Sequence, residues 1–239
     1  MTMTGDQQPG TNELSERLHR FSHDLKNKLG GTLEVVRMLA TEIDAKERAE
    51  FSAFAEKNVF HALRTLEELM DELGVERGVQ QITIEDLDLN ELIRQATRDL
   101  AARLERREQH LSVELIGDLH VPGDRELLLE LLRALLNNAS RYSDPKSTIK
   151  LSALQDGGRV MITVQDQGQG LSDADLKELF TRYAWLSTRS TDGSGQARAT
   201  LSRAKHWAEL HGGALQASSE GPGTGSTFTL RLPGSNDPV

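Results

Sequence analysis

The sequence predicts an α+β protein. An antiparallel helical hairpin comes first and dimerises into a four-helix bundle; an α/β sandwich follows. Three observations carry this. Apolar residues recur at three- and four-residue steps through two long stretches before residue 73, the period of a helix with one buried face. After residue 82 the pattern changes to short alternating apolar runs separated by Gly, Pro and Asp, the mark of strands and turns. Between them, residues 74–82 (GVERGVQQI) carry two glycines and no period, as a linker does. The predicted division is a disordered leader at 1–11, a helical domain at 12–73, the linker at 74–82 and the sandwich at 83–239.

The leader is polar, with Gly and Pro. The first helix starts near Asn12, an N-cap type, and runs to about Ile43. Its seam is Leu14, Leu18, Phe21 and Leu25, continued by Leu33, Val36 and Leu39. Gly30-Gly31 falls inside it, at roughly 1 kcal/mol per glycine relative to Ala. The pair marks a bend, a close approach by a partner, or a tolerated flaw. A polar break at Asp44-Ala45-Lys46 leads to a second helix through Phe51, Ala55, Val59, Ala62, Leu66, Leu69 and Leu73. Two helices with two apolar stripes cannot cover both by themselves, so the hairpin is predicted to dimerise.

In the second half, Ile82 and Ile84 begin a short strand. Asp88-Leu89-Asn90-Glu91 caps a helix carrying Leu92, Ile93, Ala96 and Leu100. Residues 111–115 alternate as a strand. Pro122-Gly123-Asp124 turns into a leucine-rich helix from about Arg125 to Arg141. Strands at 149–153 and 160–164 flank the hairpin turn Asp156-Gly157-Gly158. A Gly-rich loop, a segment around Leu176–Phe180, a Ser/Thr/Gly stretch at 187–195 and a helix to about Leu210 follow. Gly212-Gly213 ends that helix, and 214–217 with 226–232 form a last hairpin. The sheet is mixed, with helices on one face.

Composition narrows the function. The chain has 239 residues, 37% hydrophobic and 27% charged, with a net charge of −9 and no cysteine. The acidic balance argues against a nucleic-acid partner. The lack of cysteine excludes disulfides and thiolate metal sites. No apolar run is long enough to span a bilayer and no signal-peptide core is present, so a cytoplasmic location is predicted and a separate sensor or kinase protein must relay any outside signal. His19, His61, His110, His120, His206 and His211 show no metal-ligand spacing and read as structural or exposed.

Three segments carry chemistry. In Phe21-Ser22-His23-Asp24-Leu25-Lys26-Asn27, His23 lies off the apolar seam, Asp24 adjoins it, and Asn27 sits one turn along. An exposed imidazole with a carboxylate and an amide beside it can be a nucleophile with its own base and polar helper. At the end of the leucine-rich helix, Asn138 can offer a carbonyl oxygen to Mg²⁺, Arg141 can reach a phosphate, and Tyr142 can cover an adenine face. In Asp166-Gln167-Gly168-Gln169-Gly170, directly after a strand, a carboxylate can accept the adenine amine and two glycines allow close backbone approach. A helix that ends in His211-Gly212-Gly213 follows them.

Taken in this order, the segments resemble the two-component sensor histidine kinases over residues 12–232. FSHDLKN resembles the phosphoacceptor box, LLNNASRY the N box, VQDQGQG the first glycine box, and LFTRYAWLSTR (179–189) the phenylalanine box with the start of the ATP lid. The resemblance implies a dimerisation and phosphoacceptor domain followed by a Bergerat-type ATPase sandwich. It implies that His23 is the phosphoacceptor, that Asp24 orients it and takes its proton, and that Asn27 positions a water for phosphatase action on the partner. It further implies Mg²⁺ on Asn138, phosphates on Arg141, adenine on Tyr142 and Asp166, and a base pocket shaped by Gly168 and Gly170. ATP and Mg²⁺ are the implied cofactors, and the receiver domain of a response regulator the implied partner.

The departures from the family pattern lie at one end. Where its second glycine box, G-x-G-L-G-L, is due, this chain reads Gln196-Ala197-Arg198-Ala199-Thr200-Leu201; Gly193 and Gly195 come three residues early. Those glycines let helix N-terminal amides cradle phosphates, and the bulk of Ala197 and Arg198 crowds that space, although Arg198 can itself pair with a phosphate. Ala134 replaces the first N-box Asn, and Lys28 stands where Pro is usual. The histidine end matches and the phosphate end departs. The reading that follows is a phosphotransferase or phosphatase that exchanges a phosphoryl group between His23 and a receiver aspartate, with impaired ATP use. The alternatives are an ATP-dependent autokinase without its own sensor, and a dimeric scaffold without chemistry.

Overall fold

The structure is a computed structural model that describes residues 11–40, 44–72, 82–182, 186–188, 190–191 and 200–235. These divide between two units: the residues up to 72, and those from 82 onward. The expected leader except Thr11, which opens the first helix, and all of the linker but Ile82 lie outside the described residues, as do positions 192–199, where most of the altered glycine box falls.

In the first unit, α1 (Thr11–Leu39) and α2 (Ala45–Glu72) pack against each other. The first helix stops four residues before the expected Ile43. Asp44 and Glu47 form a capping pair that starts α2: Glu47 N donates to Asp44 Oδ1 at 2.8 Å and Asp44 N to Glu47 Oε2 at 3.4 Å. Gly30-Gly31 does not interrupt α1. A Cβ on Gly31 would sit 3.3 Å from Asn58 Nδ2 of α2, whereas one on Gly30 would meet nothing, so Gly31 is where the helices come close. Val35 and Ala62 are the fully buried apolar residues between them. Part of each stripe stays uncovered, Leu18, Leu33 and Val36 on α1 and Val59 and Leu66 on α2, and Leu29, Met38 and Phe54 beside them are exposed as well.

The second unit is a helix-on-sheet sandwich. Its elements are β1 (Glu85–Asp88), α3 (Leu89–Arg106), β2 (His110–Ile116), β3 (His120–Gly123), α4 (Arg125–Tyr142), β4 (Thr148–Asp156), β5 (Arg159–Gln165), α5 (Asp173–Glu178), α6 (Thr200–Leu210), β6 (Ala214–Ser218) and β7 (Thr227–Pro233). The main sheet has the order β2-β4-β5-β7-β6, parallel at β2/β4 and antiparallel elsewhere. Alternate residues Ile149, Leu151, Ala153, Val160, Ile162, Val164, Phe228, Leu230 and Leu232 point into the core, as the two-residue period of a strand requires. They meet α4, whose leucines at 127–129, 131, 132, 135 and 136 are all buried. That is why its pattern is near-continuous rather than striped.

Two strands differ from expectation. The strand expected at Ile82–Ile84 begins three residues later, and β1 pairs antiparallel with β3, which sequence reasoning took for a turn. Pro122 is tolerated there because this ladder has only two strands, so the missing N–H leaves no inner pairing unmade.

Three polar devices fix the ends of the helices. Asp88 caps α3 by accepting from Glu91 N at 3.0 Å. Asp124 caps α4 through Glu126 N and Leu127 N and also accepts from Thr83 N. His211, buried at the end of α6, accepts from Asp124 N at Nε2 (2.9 Å) and so donates from Nδ1 to Trp207 O (2.6 Å). It ties the end of α6 to the start of α4, a structural role. Gly212 adopts a left-handed φ of +65°, and a Cβ on Gly213 would lie 2.4 Å from Arg231 O, so neither position admits a side chain without strain.

Candidate functional site

The first unit carries the histidine. His23 sits mid-helix on α1 with its side chain 67% exposed. Its Nδ1 is 3.3 Å from the Asn27 amide nitrogen and 3.7 Å from Asp24 Oδ1. Asn27 is therefore the hydrogen-bonding neighbour, and Asp24 acts through its charge. As placed, Asn27 Nδ2 donates to Nδ1, which puts the ring proton on Nε2. Turning the amide over presents its oxygen to an Nδ1–H and leaves the Nε2 lone pair facing outward. Both arrangements use the same three side chains, and no described residue bonds to Nε2.

The second unit carries a cleft of about 280 Å³ between α4 and α6. Asn137, Asn138, Arg141 and Tyr142 line one wall, and Thr200, Arg203 and Trp207 the other. Asn138 and Tyr142 also border a smaller inner pocket with Gly170, Leu171, Leu179, Thr188, Leu201, Ser226 and Phe228. One pair of side chains thus joins an apolar recess to a wider polar cleft. Asn138 is half-buried, and its amide makes no hydrogen bond with another described residue.

Asp166, buried directly after β5, is hydrogen-bonded to Ser226, which lines the inner pocket. Its Oδ1 accepts from Gly168 N at 2.8 Å and Ser226 N at 3.2 Å. No described residue donates to Oδ2. Burial pushes its carboxyl up to about 6, against the pull of those two amides. The glycines next to it are dictated by backbone contact. A Cβ on Gly168 would lie 2.3 Å from Tyr142 O, and one on Gly170, at φ +63°, would lie 2.1 Å from Gly221 O. Gln169 N donates to Tyr142 O, and Ser143 bridges to Gly168. The end of α4 and the Asp-Gly loop are thereby stitched together. The structure brings Asn138, Arg141, Tyr142, Asp166, Gly168 and Gly170 into one region of this unit.

Sequence reasoning missed the residues that hold this region in place. Buried Gln109 donates from Nε2 to Ser140 O, Ser143 O and Asp144 O and accepts from Ser140 Oγ at 2.7 Å. It satisfies the carbonyls that the end of α4 leaves open. Arg107 donates to Ser143 O and Thr191 Oγ1. Asp175, also buried, accepts from Ser172 and from the Ser187 amide and hydroxyl. Burial raises its carboxyl, but the Ser187 and Ser172 hydrogen bonds outweigh this and hold it below the usual range. The S-x-x-D spacing of Ser172 and Asp175 was a visible capping-box signal; nothing in the sequence marked Gln109.

Residues 123–236 match the family described as histidine kinase-, DNA gyrase B-, and HSP90-like ATPase. The sensor-like histidine kinase SenX3 of Mycobacterium tuberculosis is 30% identical over 218 residues, 89% of this chain and 52% of SenX3. The chain is a member of the two-component histidine kinase family. The alginate biosynthesis sensor protein KinB of Pseudomonas aeruginosa is 28% identical over 223 residues, 92% of this chain and 37% of KinB. This family member thus spans about half the length of SenX3. Solved structures share its fold. The mycobacterial sensor histidine kinase MprB superposes with a TM-score of 0.55 at 24% identity, covering 64% of this chain and 98% of that one. Full-length ShkA in complex with AMPPNP gives 0.56 at 22%, covering 94% and 47%. Among the described residues, no helix of this kinase-family chain is long and apolar enough to cross a membrane.

Proposed function

We propose that this protein carries a phosphoryl group on His23 and exchanges it with the receiver-domain aspartate of a response regulator, as a phosphotransferase and phosphatase with impaired ATP use. The observation that carries this is the exposed His23 with Asn27 and Asp24 both on Nδ1. In the transfer, the Nε2 lone pair attacks phosphorus. The P–N bond forms as the P–O bond to the receiver aspartate breaks, and the carboxylate leaves with the bonding pair. Nδ1 keeps its proton, held by the Asn27 oxygen and favoured by the charge of Asp24. Such transfers need positioning and charge stabilisation more than covalent help. In the phosphatase reaction, a separate step that leaves His23 unmodified, Asn27 orients a water that attacks the receiver's phospho-aspartate and releases inorganic phosphate.

The helices α1 and α2 form the dimerisation hairpin, and the uncovered residues Leu29, Leu33, Val36, Phe54 and Val59 are the face that a second copy buries in a four-helix bundle. The sandwich binds an adenine nucleotide. Asp166 Oδ2 would accept the adenine amine beside the inner pocket, and Asn138 would offer its amide oxygen to Mg²⁺. Bound ATP would supply the phosphoryl group. The segment Gln196–Thr200 lacks the glycines that admit its phosphates, which supports slow autophosphorylation. A histidine autokinase is the second reading, favoured by the buried Asp166 with its Oδ2 unengaged by any described residue and Gly168 and Gly170 beside it.

Labelling decides between them. Protein incubated with a phosphorylated receiver should acquire acid-labile phosphate on His23, and with labelled ATP and Mg²⁺ far more slowly. Ready labelling from ATP restores the autokinase; no labelling from either donor removes both readings.

A further inference from the structure

The outer cleft has three arginines, and they are not equivalent. Arg133 is held by Asp99, to which it donates from Nε at 2.8 Å and from Nη2, and by Glu130 at 2.7 Å. Those partners, Asp99 first, raise its pKa further, so its charge is already answered. Arg141 lies at the mouth beside Asn138 and Tyr142. Arg203 projects from the first turn of α6 with no carboxylate partner among the described residues. Its one described contact is the Trp207 ring, 5.8 Å from guanidinium to centroid. An indole face under a guanidinium fixes the side chain without using its N–H donors. Across the cleft stands Ala134, whose small side chain leaves room.

The position of Arg203 along the cleft matters as much as its charge. Leu201, two residues earlier, borders the inner pocket, whereas Thr200, Arg203 and Trp207 border the outer cleft. A nucleotide whose base lay beside Asp166 would pass Asn138 and Tyr142 and extend its phosphates into the outer cleft that Arg203 lines. We infer that Arg203 is a phosphate-binding residue that selects nucleotides by the length of their phosphate chain, on the α6 wall next to the segment where this chain lacks phosphate-cradling glycines. The inference rests on the reading that the sandwich binds an adenine nucleotide. A guanidinium forms bidentate bonds to phosphate oxygens, so a single arginine replaces several backbone amides without requiring glycine.

Titration calorimetry of the full chain with AMP, ADP and ATP, with Mg²⁺ present, tests this. Arg203→Ala should weaken ATP binding about tenfold, or about 1.4 kcal/mol, and leave AMP binding unchanged. Arg203→Lys should recover part of the loss. The unfolding midpoint of both variants should match the parent, since Arg203 is exposed. Equal loss for all three nucleotides, or no loss for ATP, overturns the inference. Asp166→Asn separates it from the reading beneath. If that variant binds AMP as the parent does while Arg203→Ala still loses ATP selectively, the base assignment fails and the role of Arg203 stands. If the parent binds none of the three nucleotides, both fall together.

Discussion

Replacing Asp166 by Asn tests the buried carboxylate directly. Folding raises its pKa from 3.8 to about 6. Because the folded value is the higher one, the folded state holds the proton more tightly than the unfolded chain between about pH 4 and 6. Raising pH through that window favours unfolding. The shift is about 2 units, and at about 1.36 kcal/mol per unit the ionised carboxylate costs the folded protein roughly 3 kcal/mol above pH 6. Asn keeps an oxygen for the Gly168 and Ser226 amides and does not titrate. Urea unfolding of parent and variant, side by side from pH 5 to 7, should show the parent losing about 1 kcal/mol relative to Asp166→Asn, the part of the window that falls in that range. Every other group is common to both proteins and cancels. A stability difference flat across pH 5 to 7 would falsify the assignment of a buried, proton-retaining Asp166. The same logic couples to ligand: an adenine amine donating to Oδ2 favours the ionised form, so nucleotide affinity should fall as pH drops below about 6, and binding there should release a proton into the buffer.

His23→Ala should abolish labelling by a phosphorylated receiver and leave the circular dichroism and unfolding midpoint unchanged, because an exposed histidine contributes little to stability; Asn27→Ala should retain labelling and slow the hydrolysis of receiver phospho-aspartate, measured as its half-life. Leu33→Lys, on the uncovered face of α1, should convert a dimer to a monomer in sedimentation at micromolar concentration; a parent that is already monomeric there defeats the bundle. Gln109→Leu keeps the volume but strips four hydrogen bonds from the end of α4; the Ser140 carbonyl loses its donor while Ser143 O keeps Arg107 and Thr191, so a loss of about 1–3 kcal/mol in urea unfolding is expected, together with weaker nucleotide binding.

What was legible in the sequence follows from how local each signal is. The cap Asp88, the hairpin turn at 156–158 and the helix stop at Gly212-Gly213 all work within four or five residues, and each was readable; Asp124 was read as part of a turn and proves to be a cap as well. So was the leucine-rich α4, because burial over most of its surface writes itself as a near-continuous apolar run, broken only at Glu130 and Arg133 between Leu127 and Leu136. The strand β3 was not, because His120–Gly123 pairs with β1 across an intervening helix and strand, and Pro122 disguised it as a turn. Gln109 was invisible for the same reason: its partners, Ser140 to Asp144, lie more than thirty positions away.

The histidine end shows the converse. Composition placed a carboxylate and an amide beside His23, but spacing could not rank them. The helix brings Asn27 to 3.3 Å and leaves Asp24 at 3.7 Å. In such an exposed setting a carboxylate without a hydrogen bond is screened, whereas an amide within bonding distance still sets the tautomer. The residue one turn away therefore has more control over which nitrogen is nucleophilic than the acid next to it in sequence. Asn27→Asp makes the point testable: a charged acceptor at that position holds the Nδ1 proton firmly, so transfer to His23 should be kept or quickened while Asp24→Asn slows it only modestly. If instead Asp24→Asn abolishes transfer and Asn27→Asp is silent, charge rather than hydrogen bonding orients His23.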